Sequence, residues 1–213
     1  SSNGEDRRKL TALSKLTVDV LKNLNDRRLF YFAEPADALI KAGKVESNFD
    51  AYEGAPTELA AEPLAINNQD GKYSLINKRY VAIHSGDPML YFSYAEQCFI
   101  LAEAAEEGWI TGSAKTYYEN GVKASLNYYK GLASAPSSYL HGMAITDEYI
   151  NNYFTGNAAY AATKADRIRQ IMTQRWLVDF FQGNGGKYYY QFLRTGYPEF
   201  PFDANTCMNP DGK

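Results

Sequence analysis

Three carboxylates close together, Glu103, Glu106 and Glu107, form the first group of side chains that could do acid–base chemistry or bind a metal. A glycosidase, however, uses two carboxyl groups that approach the substrate from different elements. A helical dimetal site places a histidine three residues after a glutamate, and neither His84 nor His141 has that spacing. We therefore expect these glutamates to lie on a solvated helix face, with no metal site and no cofactor.

The glycine-rich segment 183–187, Gly-Asn-Gly-Gly-Lys, is a second motif with possible chemistry. A phosphate-binding loop needs a preceding strand and a serine or threonine directly after the lysine, and this segment has neither. We predict a tight turn instead. No serine stands in the Gly-x-Ser-x-Gly pattern of an esterase-type nucleophile. The sequence therefore shows no catalytic cluster, and we expect a protein that is not an enzyme.

Tyrosine is the unusual residue of this chain, which has 18 tyrosines and 15% aromatic residues. A tyrosine has an apolar ring and a hydrogen-bonding hydroxyl, and this combination suits polar interfaces and sugar rings alike. A ring that stacks on a sugar must be exposed, rigidly held and flanked by hydrogen-bonding groups. The aromatic residues chosen on these grounds are Tyr52, Tyr73, Trp109, Tyr188, Tyr189 and Tyr190. The alternative, that these rings pack loops onto helices, stays open.

Composition excludes several other classes of protein. The 213 residues carry a net charge of −3 with a pI near 5.5, whereas nucleic-acid binding needs a concentrated basic surface. No apolar run approaches the length of a membrane span. Cys98 lies in an apolar helical run and is predicted to be buried, and Cys207 follows in a C-terminal loop. A bridge between them is possible in an oxidising compartment, but nothing in the sequence predicts one.

Apolar periodicity, N-cap residues and glycine stops predict a mostly helical chain. Helices are expected at Ser14–Leu24, Ala36–Lys41, Ser93–Glu107, Ser113–Tyr129, Asp147–Tyr153, Thr163–Phe181 and Lys187–Arg194. The run Leu29–Phe32 is predicted to be extended. Residues 45–88 lack sustained periodicity and are predicted to be an irregular excursion, with short strands at most near Tyr73–Ile76 and Tyr80–Ile83.

These elements predict an all-α fold in one domain over residues 1–213. The hairpin Ser93–Tyr129 has the outline of a tetratricopeptide unit. In its second helix Gly121 and Ser125, four residues apart, would let another helix approach closely. It is expected to pack on the helix Thr163–Phe181, because each helical stripe must bury its apolar face. Long loops in compact domains are often functional, and the excursion is therefore a favoured place for ligand contacts.

Two segments resemble a known family. The first is SYAEQCFILAEAAEEGW at residues 93–109, and the second ends in RTGYP at residues 194–198. Together they resemble the SusD/RagB family of outer-membrane glycan-binding lipoproteins, in the SusD-like branch. Where the family has a glutamate, two tryptophans and an arginine before this ending, the chain has Lys187, Tyr189, Phe192 and Leu193. The resemblance runs from about Ser14 to Pro198, a middle-to-late portion of a typical member.

The resemblance implies a SusD-like fold with tetratricopeptide-like helical hairpins. It also implies non-catalytic binding of oligosaccharides or polysaccharides at the surface of a Gram-negative outer membrane, with delivery to a SusC-like TonB-dependent transporter. Membrane association would then depend on an N-terminal lipid anchor that is absent from this chain. Sugar-binding residues vary among members, so none is transferred. Two alternatives remain: a tetratricopeptide-type scaffold without its own sugar site, and a glycoside-acting enzyme.

Overall fold

The computed structural model describes residues 11–84, 86–183 and 185–201. Helices, with the short 3-10 turns included, make up 54% of the described residues, which contain no strand beyond three isolated single-residue bridges. The predicted all-α class is therefore confirmed. No helix in these ranges is both long enough and apolar enough to cross a membrane.

The α-helices of the described residues are numbered in chain order. They are α1 Lys15–Asn23, α2 Arg28–Phe32, α3 Asp37–Lys41, α4 Ala61–Gln69, α5 Arg79–Ala82, α6 Tyr94–Glu106, α7 Ala114–Lys130, α8 Asp147–Asn151, α9 Lys164–Val178 and α10 Gly185–Thr195. Short 3-10 turns lie at Phe49–Ala51, Ser137–Tyr139 and Gly156–Ala158.

The described residues divide into two compact units. The first unit contains residues 11–86 together with Ala133–Ala144, and the second contains Asp87–Leu132 and Ile145–Phe200. The chain thus leaves the second unit after α7 to complete the first, and then returns. The single domain that the sequence predicts stays a prediction, because one domain can contain two compact units of this kind.

In the first unit, α1 begins and ends as its sequence predicts. The Ser14 hydroxyl accepts a hydrogen bond from the Thr17 N–H at 3.2 Å and caps the helix. At the other end Asn25 adopts a left-handed conformation with φ of 51°. The backbone N–H groups of Asn25 and Asp26 then donate hydrogen bonds to the carbonyls of Lys22 and Leu21, respectively. This pair of hydrogen bonds is the Schellman motif that ends many helices. Asparagine suits this position because it tolerates positive φ better than most residues.

The prediction of an extended run at Leu29–Phe32 was wrong, because the run is the helix α2 and is fully buried. One turn of helix satisfies few of its own backbone groups, and the buried Asn77 and Arg79 supply the missing donors. Asn77 Nδ2 donates to the carbonyls of Phe30 at 2.9 Å and Tyr139 at 2.8 Å. Arg79 Nε donates to the Tyr31 carbonyl at 3.0 Å. These hydrogen bonds stabilise α2, and they could not be predicted from its apolar sequence.

The excursion at residues 45–88 is also more regular than predicted, since it contains α4, α5 and a 3-10 turn. Tyr80–Ile83 is mostly helical rather than a strand, and the segment near Tyr73–Ile76 contributes only isolated bridges. The helix α4 was missed for a physical reason. None of its residues is buried, so its sequence has no apolar stripe to detect.

The second unit is built around the predicted hairpin of α6 and α7. Ser93 and Ser113 cap the two helices with their hydroxyls, and Gly108 closes α6 with φ of 78°. The helices approach closely at Gly121, where an added Cβ would lie 2.7 Å from the ring of Phe99. The close approach predicted from the small residue at position 121 is therefore confirmed.

The helix α9 packs on α6 as predicted, and it runs antiparallel to it. Lys164 at the start of α9 pairs with Glu107 at 2.8 Å, and Arg175 near its end lies 3.4 Å from Glu96. Ile171 and Met172 are fully buried in this packing. The helix ends at Val178, before the predicted Phe181.

The expected solvated face of Glu103, Glu106 and Glu107 was wrong for the first two residues. The side chains of Glu103 and Glu106 are each only 9% exposed. Glu106 pairs with Arg167 at 2.8 Å and accepts a hydrogen bond from Tyr160 at 2.5 Å. The partners are distant in sequence, so the spacing of the glutamates alone could not reveal the pairing.

Substitution of Asn77 tests the role of its amide as a donor to the first unit. Asn77→Ala leaves the buried carbonyl of Phe30 and the part-buried carbonyl of Tyr139 without that donor, and the loss at a buried group costs on the order of 1–3 kcal/mol. We expect the free energy of unfolding in urea to fall by about 2–4 kcal/mol. Asn127→Ala is the matched control, because Asn127 donates only to an exposed carbonyl of its own helix. An equal loss in both variants would contradict the assignment.

Substitution of Gly121 tests the close approach of α6 and α7. Gly121→Ala gains about 1 kcal/mol of helix propensity but pushes a methyl group into the fully buried ring of Phe99. Overpacking costs about 1–3 kcal/mol, so we expect a net loss of stability and a lower Tm. Gly186→Ala in α10 is the control, since no atom lies within 4 Å of its added Cβ. It should raise Tm, and a rise for Gly121→Ala as well would show that the contact relaxes freely.

Candidate functional site

The aromatic residues proposed from the sequence fall into two groups of three. Tyr52, Tyr73 and Tyr188 are buried, with 0%, 7% and 8% exposure. The exposed group has 70%, 59% and 71% exposure for Trp109, Tyr189 and Tyr190 respectively. Stacking on a sugar requires an accessible ring face, so only the exposed group meets the first geometric condition.

Tyr52 and Tyr73 belong to the core of the first unit. The Tyr52 hydroxyl donates to the Glu46 carbonyl at 2.9 Å, and its ring lies edge-on to Phe30 at 5.1 Å. Burial raises the pKa of Tyr52, and the nearby carboxylate charges add to the shift. The Tyr73 hydroxyl accepts a hydrogen bond from Asn67 at 3.1 Å. The expectation that Tyr52 and Tyr73 are exposed is thus corrected, because both rings lie in the core. Asn67, one of the polar residues before Tyr73, is its hydrogen-bond partner.

Trp109 stands at the tip of the α6–α7 hairpin on a rigid base. The backbone N–H of Trp109 donates to the Ala104 carbonyl at 2.9 Å, and the backbone N–H of Gly108 donates to the Ala105 carbonyl at 3.2 Å. This pair of bonds is a Schellman motif, which fixes the backbone directly under the side chain. The neighbouring Ile110 is 38% exposed, so the tip presents an apolar surface to solvent.

The three consecutive tyrosines of α10 divide according to the helical period. Tyr188 faces inward together with Gln191, while Tyr189 and Tyr190 face outward with ring centroids 5.9 Å apart. Leu193 continues the exposed face and is 61% exposed. The rings of Tyr189 and Tyr190 therefore form a small aromatic platform on a helix surface.

A row of ion pairs holds α10 against the rest of the second unit. Lys187 pairs with Glu96 of α6 and with Asp179 at 2.6 Å, and Arg194 pairs with Glu103 of α6, with Nη2 to Oε2 at 3.1 Å. Lys187 and Arg194 are seven residues apart, and their partners on α6 follow in the same order with the same spacing. The helix α10 therefore runs parallel to α6. Burial raises the pKa of Asp179, while the hydrogen bond from Lys187 acts in the opposite direction. These ion pairs hold the helix that carries Tyr189 and Tyr190.

Sequence reasoning did not select five other exposed aromatic residues of the second unit. Their exposures are 90% for Tyr91, 63% for Phe92, 62% for Tyr94, 53% for Phe181 and 43% for Phe200. A signal for Tyr94 was available, because it lies outside the apolar face of α6 that Ala95, Phe99, Ala102 and Ala105 form. Tyr91, Phe92 and Phe200 stand in segments without periodicity, which gives no orientation to predict. Phe181 was predicted to end a helix that in fact ends at Val178.

Hydrogen bonds fix the loop that carries Tyr91 and Phe92. The Leu90 N–H donates to Gln182 Oε1 at 2.7 Å. The Tyr128 hydroxyl donates to the Pro88 carbonyl, also at 2.7 Å. This loop leads directly into the Ser93 cap of α6, so its exposed rings belong to the same end of the second unit as Tyr94.

The described residues contain no group of three or more histidine, cysteine, aspartate or glutamate side chains arranged to hold a metal ion. His141 of the first unit lies 3.2 Å from Glu46 and 3.7 Å from Glu34. Cys98 is buried, as predicted, and is a free cysteine, and Cys207 lies outside the described residues. The arrangement that remains for ligand contact is the set of exposed rings.

Comparisons with known proteins give these rings a family context. A family model of the SusD-like group, described as starch-binding and associating with the outer membrane, matches residues 1–212. No curated protein matches the sequence. A SusD homologue from Bacteroides fragilis is 36% identical with a TM-score of 0.90, and the match covers 96% of this chain and 44% of the homologue.

Further solved structures agree with this match. An outer-membrane protein of Bacteroides vulgatus, whose description names nutrient binding, is 32% identical with a TM-score of 0.81 over 91% of this chain and 42% of its own. A chitin-binding protein is 29% identical with a TM-score of 0.65 over 88% and 38%. The chain spans less than half the length of each of these relatives. Where the descriptions name an activity, it is binding rather than a reaction.

The predicted helical hairpin, the two sequence motifs and the match over nearly the whole chain agree with one another, and the chain belongs to the SusD-like family.

Proposed function

We propose that this chain takes part in non-catalytic capture of oligosaccharides or polysaccharides at the outer surface of a bacterial outer membrane. One observation supports the proposal above the others: Trp109, Tyr189 and Tyr190 present exposed rings from rigid helical frames. An exposed aromatic ring can stack on the apolar C–H face of a sugar ring, while hydroxyl and amide groups supply hydrogen bonds. The family description as starch-binding and the chitin-binding relative agree with this chemistry.

The proposal includes a partner and a location. In the SusD-like resemblance, captured sugar is delivered to a SusC-like TonB-dependent transporter, and we propose the same partnership for this protein. The same resemblance implies a lipid anchor on the N-terminal side of the protein, and we propose that such an anchor holds it at the membrane. Copurification of the tagged protein with a TonB-dependent transporter from outer membranes tests this part directly.

A scaffold of the tetratricopeptide type is the second candidate function. The observation in its favour is the α6–α7 hairpin, whose small residue Gly121 allows the close helix packing that such repeats use. Under this alternative the exposed rings contact another protein rather than a sugar. Calorimetric titration against neutral oligosaccharides separates the two, because a scaffold without a sugar site gives no heat of binding.

Substitution of the exposed rings tests the proposed sugar contacts. Trp109→Ala and the double variant Tyr189→Ala/Tyr190→Ala should each weaken the affinity for a bound oligosaccharide by about 1–3 kcal/mol, by analogy with base stacking on aromatic side chains. Isothermal titration with maltohexaose and chitohexaose measures the change. Because all three side chains are exposed, Tm should stay close to that of the wild type.

The matched control is Ile66→Ala, which removes a 51% exposed apolar side chain from the first unit. It should leave the affinity unchanged. If both ring variants bind as tightly as the wild type, neither platform contacts the sugar. The buried Tyr52 and Tyr73 are unsuitable for this test, since their loss would destabilise the fold itself.

A further inference from the structure

One side of α6 remains open to solvent along its whole length. Tyr94 and Gln97 are exposed and Leu101 and Ala104 are half-buried, and these residues follow one another at spacings of three or four. Such residues share one face of a helix. We call them the open stripe of α6. The opposite side of the helix is buried against α7, α9 and α10.

The N-terminal end of the open stripe carries the aromatic ring of Tyr94. The residue is 62% exposed, so the ring is accessible to a ligand at this end of α6. The pKa of Tyr94 is raised, and its main cause is the interaction with the Cys98 thiol four residues further along the helix.

The C-terminal end of the open stripe carries Trp109. A hydrogen bond from the backbone N–H of Trp109 to the carbonyl of Ala104 ties this residue to the last residue of the stripe. From Tyr94 to Gly108 the helix advances about 20 Å at about 1.5 Å per residue. Two exposed aromatic residues, Tyr94 and Trp109, therefore stand at the two ends of one face of α6.

The open stripe carries no charged side chain, although α6 is rich in glutamate. Glu96, Glu103 and Glu106 lie off the stripe, and each is paired with a cation from α9 or α10. Glu107 at the end of the helix pairs with Lys164. The charges of this helix are thus matched within the protein, and the stripe complements an uncharged ligand.

We propose that the open stripe binds an unbranched, uncharged oligosaccharide lengthwise, with Tyr94 and Trp109 stacking on two sugar rings several residues apart. This inference rests on the proposed function and specifies its substrate class. One sugar of an extended chain advances by a distance comparable to the helix pitch of about 5.4 Å. Successive sugars therefore meet successive turns of α6, and a disaccharide is too short to reach both aromatic ends.

Binding along two linked contacts predicts a dependence on chain length. For neutral linear oligosaccharides from disaccharide to hexasaccharide, in the malto- and chito- series, affinity should rise at least about tenfold and level off near the tetrasaccharide or pentasaccharide, since the second contact becomes intramolecular. A hexasaccharide of galacturonic acid should bind at least about tenfold more weakly, a difference of 1.4 kcal/mol. A disaccharide that binds as tightly as the hexasaccharide would overturn the inference.

Substitution at either end should abolish the length dependence. In Tyr94→Ala and in Trp109→Ala, the affinity for the hexasaccharide should fall to within about threefold of the wild-type disaccharide value, as expected when one of two linked contacts is lost. The control Ile66→Ala should keep the full dependence. If Tyr94→Ala has no effect while the Tyr189→Ala/Tyr190→Ala variant weakens binding, the proposed function stands and the stripe is not its site.

Fluorescence reports contact at Trp109 directly. The chain has two tryptophans, so Trp176→Phe leaves Trp109 as the sole tryptophan. Saturation with the hexasaccharide should shift its emission to shorter wavelength, because a stacked sugar displaces water from the ring. An unshifted spectrum at saturation would contradict stacking on Trp109. If no oligosaccharide of any length binds in calorimetry, the proposed function itself fails, and the inference fails with it.

Discussion

Two buried carboxylates on α6, Glu96 and Glu103, determine how the second unit is assembled. A buried charge is strongly unfavourable unless it is paired, so the neighbouring helices must supply cations. Arg175 comes from α9, and Lys187 and Arg194 come from α10. Because one row of carboxylates serves both helices, charge pairing fixes their direction and register along α6. The outward rings of α10 owe their position to this row, since that helix buries few side chains of its own.

The first unit solves a different problem, which is the satisfaction of backbone groups in very short helices. A one-turn helix such as α2 leaves most of its carbonyls without partners, and burial removes the water that would otherwise bind them. Asn77 and Arg79 donate to those carbonyls from a neighbouring segment. Residues with positive φ end α1 and α3 and serve the same purpose. At Asn25 and Gly43 the chain turns so that backbone N–H groups donate to carbonyls of the last helical turn. Polar side chains and turn chemistry hold this unit together alongside its apolar core.

The sequence allowed good prediction where structure is local. The capped, periodic helices α6, α7 and α9 lie within a few residues of their predicted bounds, because cap and stripe are both visible in the chain. Prediction failed where a distant partner decides. Glu103 was expected in solvent, yet its cation Arg194 lies 91 residues away. Tyr52 was chosen for its polar neighbours, whereas its burial depends on Phe30 and His141 from other segments. Tyr189 and Tyr190 are exposed, as the choice of these residues required, and the exposure of Tyr94 could have been predicted from its place outside the apolar face of α6.

The return of Ala133–Ala144 to the first unit has a consequence for biosynthesis. Asn77 bonds to Tyr139 across 62 residues, and Arg27 bonds to the carbonyl of Ala144 across 117 residues. Contacts of such high sequence separation form late, because a long loop must close before they stabilise the chain. During translation, which proceeds from the N-terminus, residues 11–86 leave the ribosome well before the segment that completes them. Residues 11–86 therefore lack the Tyr139 and Ala144 carbonyls as hydrogen-bond partners until α6, α7 and the segment after them have been synthesised.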